Sequence, residues 1–201
     1  PLEFPRAING RQILSQHPAG REYGDLLKGA EVFPIFEDAN GEILSMPPII
    51  NSEKTGKVGF ETKDVFIECS GFNLDYLKKT LNMIVCALAD MGGEIYEMEI
   101  VDKRKWVSPD LSSDKMEFSL DDLNKTLGLE LSVKEVKGYL GKMGIGYGEG
   151  VALVPCYRTD ILHEIDLSEE VAIAYGYENF EAEIPEISTI GCEDKVAVLK
   201  R

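Results

Sequence analysis

One helical stripe narrows the possible folds more than any other feature of the chain. Leu74, Leu77, Leu81, Ile84, Val85, Leu88 and Met91 recur at helical spacing, and Gly92-Gly93 follow where a helix can end on a positive φ. Just before the stripe, "KDVFIECS" alternates with period two. A strand there sends Val65, Ile67 and Cys69 to one face and Phe66, Glu68 and Ser70 to the other. Just after it, "EIYEMEIV" alternates Tyr96, Met98 and Ile100 with acids. A helix bracketed in this way is expected to bury its stripe on a sheet that includes those strands. Upstream, "VFPIFEDANGEILSM" reads as two strands joined across Asn40-Gly41, a strong short hairpin signal. Pro47-Pro48 ends the second strand.

The second half has a different rhythm. Ser119 with Asp122, and Ser132 with Glu135, have capping-box spacing, and Gly128 and Gly144 stand at the expected exits of two short helices. Val133, Val136, Leu140 and Met143 form one apolar stripe, and "GVALVPCY" reads as a strand. A third helix is expected to open on Asp166 as its N-cap and to bury Leu167, Val171, Ala174 and Tyr175. Two small helices, a strand and a further helix form a winged-helix-like pattern. The fold class is therefore α+β, with a mixed α/β first domain and a small winged-helix-like α+β second one. A chain of 201 residues accommodates two such domains.

Charge limits the partners. The net charge is −15, and from Thr159 to Asp194 there are 11 acids with no Lys or Arg. Such a surface opposes broad contact with a phosphate backbone and disfavours a nucleic-acid-binding regulator. The longest apolar run, Met83 to Ala89, is too short to span a bilayer. Cys69, Cys86, Cys156 and Cys192 fit neither a CxxC zinc pattern nor a dense disulfide framework, and so read as reduced cytosolic thiols. The opening "PLEFPRAING" has no initiator Met and no signal-peptide pattern, and reads as a cut within a longer chain.

Asp160, Asp166, Glu169 and Glu170 fall within eleven positions, with Arg158 the nearby strong base. Two readings stay open. On a helix starting at Asp166, three of these carboxylates lie within about 100° of one another, so they can simply favour a helix start. Asp160 lies upstream of that helix and is left over. An all-oxygen cluster is also the type that Mg²⁺ prefers, and the spacing is not that of an EF-hand. Two histidines, His17 and His163, are read as structural.

"LSMPPIIN" (44–51), "FIECSG" (66–71), "HPAGREYGDLL" (17–27) and above all "YRTDILHEIDLSEEVAIAYGYENFEAEIP" (157–185) resemble the β subunit of archaeal and eukaryotic-type phenylalanyl-tRNA synthetases. The resemblance spans nearly the whole chain in the family's order. It implies the C-terminal part of an editing domain over 1–102, a linker over 103–118, a winged-helix-like domain over 119–185, and a lead into a synthetase-like domain over 186–201. It further implies a Mg²⁺ site at Asp160, Asp166, Glu169 and Glu170 shared with an α subunit, although archaeal relatives often have Asp where Glu170 stands. Ser45 and Ser70 match positions associated with editing, and Phe36 lies near where the family has an apolar pocket residue. Ser70, Phe72 and Asn73 depart from the family's usual "ECTGTD".

What the resemblance implies chemically is a ligase of α2β2 type in the cytoplasm, with ATP used by the α subunit and tRNA(Phe) bound by the whole enzyme. A synthetic site shaped for phenylalanine cannot strongly reject tyrosine, so hydrolysis of tyrosyl-tRNA(Phe) falls to a second site. Glu68 is the candidate partner for the tyrosine hydroxyl. Two alternatives remain: a non-catalytic assembly module with an incomplete editing pocket, and a metal-binding winged-helix regulator.

Overall fold

The computed structural model describes residues 1–182 and 191–201, which divide into two units, Pro1–Asp110 and Leu111–Arg201. The first unit begins with α1 (Gly10–Gln16) and α2 (Pro18–Tyr23). His17 joins them: its Nδ1 accepts from the Ala19 N–H at 3.1 Å, and its Nε2 lies 3.0 Å from the Leu2 carbonyl. The ring is buried and structural. Gly20 is where the two helices touch, since a Cβ there would meet the Ile13 carbonyl oxygen at 2.0 Å.

Strands β1 (Phe36–Glu37), β2 (Ile43–Met46) and β3 (Ile50–Asn51) form an antiparallel sheet in that order. The Asn40-Gly41 hairpin forms as expected. Asp38 Oδ1 accepts the Asn40 and Glu42 amides at 2.8 and 2.9 Å, and Gly41 takes φ +81°. Those two amides, Glu42 foremost, hold the Asp38 carboxyl below its ordinary pKa. Ile13, Met46 and Ile49 form the small core beneath.

The stripe forms α3 (Leu74–Asp90), capped by Asn73, whose side chain accepts from the Asp75 and Tyr76 amides. Gly92 follows at φ +97°. The expected burial of this helix does not occur: only Asn82 and Val85 are buried, while Leu74, Ile84, Leu88 and Met91 are exposed. The reason lies in its neighbours. Residues 63–70, expected as a strand, take no strand structure. The segment after α3 pairs only as a hairpin, β4 (Met98–Val101) with β5 (Lys105–Ser108). That hairpin meets α3 where Lys78 Nζ lies 5.4 Å over the Trp106 ring. The Asn82 side chain donates to the Asp110 carbonyl at 2.8 Å.

The second unit opens with β6 (Asp114–Glu117), followed by α4 (Leu120–Leu127), α5 (Val133–Lys142), β7 (Gly146–Gly148), β8 (Val151–Val154) and α6 (Glu164–Tyr175). A short α7 (Lys195–Leu199) lies near the C-terminus. Its antiparallel sheet runs β6-β8-β7. The stretch expected as a linker, 103–118, thus holds two whole strands, β5 of the first unit and β6 of the second. The expected boundary at 185/186 lies outside the described residues. Leu123, Val136, Leu140, Ile145, Ala152, Val154, Leu167 and Val171 form the core. The ends of α4 and α5 follow the expected caps. Ser119 and Ser132 accept from the amides of Asp122 and Glu135, and Gly128 and Gly144 sit at φ +67° and +74°.

Candidate functional site

The editing candidates lie in the first unit. Antiparallel register sets Phe36 opposite Ser45 across β1 and β2. The Phe66 ring packs edge-on against Phe36, with centroids 5.6 Å apart. Two residues beyond Phe66, Glu68 accepts a hydrogen bond from the Ser70 hydroxyl. The segment 66–70 is thereby tied to β1 through an aromatic pair, with one carboxylate and one hydroxyl beside it. Ser45 is half-buried, whereas Glu68 and Ser70 are exposed. Cys69 has a raised thiol pKa, chiefly from burial and secondarily from Glu68. Of the residues that depart from the family pattern, Phe72 is fully exposed and Asn73 is the cap of α3.

The acidic cluster lies in the second unit, and its helix starts earlier than expected. His163, not Asp166, is the N-cap of α6, and its Nδ1 accepts from the Ile165 amide at 3.3 Å. Asp166 is the third helical residue and reaches back, its Oδ2 accepting the Leu162 and His163 amides at 2.8 Å each. This is the reciprocal half of a capping box. The two amides, Leu162 foremost, hold the Asp166 carboxyl below its ordinary pKa.

Asp160 and Glu170 belong to a different arrangement. The Arg158 guanidinium bonds Asp160 with both prongs, Nε to Oδ1 at 2.8 Å and Nη2 to Oδ2 at 2.6 Å. Its Nη2 also bonds Glu170 Oε1 at 2.5 Å. The two carboxylates raise the Arg158 pKa, Asp160 contributing most, and the Arg158 guanidinium in turn holds the Asp160 carboxyl below its ordinary pKa. Glu170 is buried, and its second oxygen has no hydrogen-bond partner. Glu169 is exposed. With Asp166 it helps to line a groove of about 380 Å³ whose apolar walls include Leu127, Ile165, Ala172, Tyr177 and Phe180. The aromatics of "YGYENF", with Tyr175 and Phe180 packed edge-on at 5.0 Å between centroids, are the sequence signal for that groove.

The four carboxylates therefore divide into a cap, an arginine-bound pair and an exposed side chain. As placed, they do not fit one Mg²⁺, which needs near-octahedral oxygens at about 2.0–2.1 Å. Within the cluster the orphaned Glu170 oxygen is the buried atom with capacity to spare, and a guanidinium lies against the same carboxylate. Among the described residues, no three His, Cys, Asp or Glu side chains are grouped to hold a metal ion.

Comparison with known proteins identifies residues 116–177 with the tRNA synthetase B5 domain. The chain is 42% identical over 199 residues to the phenylalanine–tRNA ligase β subunit of Pyrococcus horikoshii, covering 96% of this chain and 36% of that protein. The same subunit of Archaeoglobus fulgidus is 41% identical over 196 residues, covering 95% and 36%. That of Methanococcus maripaludis is 43% identical over 190 residues, covering 92% and 33%. The chain spans about a third of the length of these relatives. A crystal structure of an N-terminal fragment of the Pyrococcus horikoshii phenylalanyl-tRNA synthetase β subunit matches with a TM-score of 0.83 at 41% identity, covering 88% of this chain and 52% of that one. The chain thus carries a tRNA synthetase B5 domain at 116–177 and, at about 40% identity along nearly all of its length, is similar to one stretch of the β subunits of archaeal phenylalanine–tRNA ligases.

Proposed function

We propose that this chain contributes hydrolytic editing of tyrosyl-tRNA(Phe) and subunit assembly to a phenylalanine–tRNA ligase. The observation that carries the reading is the grouping of Phe36, Ser45, Phe66, Glu68 and Ser70. A misacylated tyrosine presents an aromatic ring, a phenol at one end and an ester at the other. The Phe36–Phe66 pair offers the ring an edge-and-face aromatic surface. Glu68 can accept the phenolic O–H, which phenylalanine lacks. Ser70 already donates to Glu68, which orients the carboxylate and leaves its remaining lone pairs for substrate. Ser45 contacts no base among the bonds described, and the carboxylate that Ser70 contacts, Glu68, is assigned to the phenol, so both serines act by orienting ester or water rather than by attack.

Discrimination of this kind grows with desolvation of the carboxylate. Glu68 is exposed in this chain, so the reading requires that bound substrate itself, or further parts of the enzyme, cover it. In the same reading an α subunit completes the α2β2 enzyme, uses ATP and shares tRNA(Phe) with the β subunit. A second reading, an assembly module without editing, is favoured by the exposure of Glu68 and Ser70.

The test is release of tyrosine from preformed tyrosyl-tRNA(Phe) by the complete synthetase. Glu68→Gln and Glu68→Ala are expected to slow release by about tenfold or more while phenylalanine charging continues. Ser45→Ala and Ser70→Ala are expected to slow it less. Hydrolysis by Glu68→Ala at the parental rate establishes the assembly reading instead.

A further inference from the structure

We infer that Arg158 is the resident cation of the acidic cluster: its guanidinium ties the β8–α6 connection to α6, and the Asp160–Glu170 pair is held without a metal ion. The geometry is that of a fork. Two guanidinium nitrogens grip both Asp160 oxygens, and one of them also reaches Glu170. Arginine suits such a task because its donors are planar and preset, whereas a lysine would offer a single point of charge. Burial agrees. The Arg158 side chain is 20% exposed and that of Glu170 10%, against 61% for Asp160, so the cation bridges from the interior of the unit to its surface.

The alternative occupant is disfavoured by what each carboxylate already does. A divalent ion at Asp160 and Glu170 would have to displace the guanidinium or stand beside it as a like charge. Asp166 is committed to two backbone amides. The buried, unpartnered Glu170 oxygen remains tolerable because a positive charge adjoins its carboxylate. Without that charge the same atom would be the most costly in the unit. Removing Arg158 leaves two carboxylates facing an empty space, an all-oxygen pair of the kind that a hard cation seeks.

This inference concerns the second unit alone and does not depend on the editing reading. Its test uses the 201-residue chain and, separately, the assembled α/β enzyme. Thermal unfolding is followed in EDTA and in excess MgCl2, and Mn²⁺ binding by electron paramagnetic resonance. In the parental protein the midpoint is expected to be the same in EDTA and Mg²⁺. Arg158→Gln is expected to lower it by about 4–8 °C or more in EDTA and to regain part of that loss in Mg²⁺ or Mn²⁺. Arg158→Lys, which keeps charge but not the fork, falls between the two. Mn²⁺ bound by the parental protein in either form, and lost in Glu170→Gln or Asp160→Asn, overturns the inference, as does an Arg158→Gln midpoint equal to the parental one. Mn²⁺ that persists in both carboxamide variants lies elsewhere and leaves Arg158 in its role. If Arg158→Gln does not fold, the parental Mn²⁺ measurement with the two carboxamide variants decides alone.

Discussion

Single side chains in the second unit do their work mainly at helix ends. Ser132 and Glu135 form a complete capping box, the carboxylate accepting from both the Ser132 amide at 2.8 Å and its hydroxyl at 2.6 Å. Those bonds, the hydroxyl first, hold the Glu135 pKa below its ordinary 4.5. A carboxyl whose folded value is depressed contributes stability that is complete above the unfolded value and is lost as pH falls through the folded one. Glu135→Gln is therefore expected to flatten the loss of stability below about pH 4.5 while leaving the pH 5–8 region parallel to the parental curve. Urea midpoints measured between pH 3 and 8 check this. The Ser132 box was legible because Ser and Glu at that spacing are a common helix start. The start of α6 was not, because its cap is a histidine acting through Nδ1. Asp166 has the right chemistry for a cap but serves as the reciprocal partner three residues in. Arg158 was visible as the nearby base, yet spacing along the chain cannot say that its fork would reach both Asp160, 2 positions on, and Glu170, 12 positions on.

At the scale of elements, α3 and α6 show what periodicity can and cannot predict. Both helices formed where apolar spacing and glycine stops put them, to within a few residues. Periodicity gives the face that can be buried; whether a neighbour covers it depends on strand pairing far along the chain. α6 found such neighbours, and Leu167 and Val171 are wholly buried. α3 met only one hairpin among the described residues, and residues 63–70 did not add a strand despite the apolar face of Val65, Ile67 and Cys69. Two substitutions should separate the cases. Leu167→Ala is expected to cost about 2–5 kcal/mol, the range for a buried leucine. Met91→Ala, at a residue 82% exposed in this chain, should change stability by less than about 0.5 kcal/mol. Gly128→Ala tests a helix stop instead. No atom stands within 4 Å of the added Cβ, so the φ of +67° is the whole penalty, about 1–2 kcal/mol. Chemical denaturation of the chain measures all three.

For the molecule as a whole, charge sets a limit on what it can bind unaided. The net charge of −15 and the uninterrupted acidic tract from Thr159 to Asp194 leave little positive surface in the second unit for a polyanion. The isolated chain is expected to bind tRNA more weakly than micromolar at physiological salt, with residual affinity falling steeply as salt rises. Filter binding between about 50 and 200 mM salt shows whether this holds. Submicromolar affinity in the upper part of that range means that the first unit presents a basic surface not evident from its composition. The two-unit division was legible from the change of rhythm near residue 105, but the joint falls at Asp110/Leu111 because β5 and β6 claim residues on either side of it. Short strands with mixed side chains, such as Lys105–Ser108 and Asp114–Glu117, carry too little periodicity to announce themselves.

The place of β6 matters to anyone cutting the second unit free. β8 is the middle strand, and its pairing from Val151 to Val154 is completed by Asp114–Glu117, which arrives before either of the first two helices. A fragment begun at the helix cap Ser119 would keep every helix of the unit yet strip one side of β8, exposing a row of unpaired amides and carbonyls along a strand of sequence Val-Ala-Leu-Val. Such an edge invites pairing with other copies. Fragments begun near Leu111 should stay dispersed where those begun at Ser119 precipitate or oligomerise, a difference that size-exclusion chromatography of the two would register.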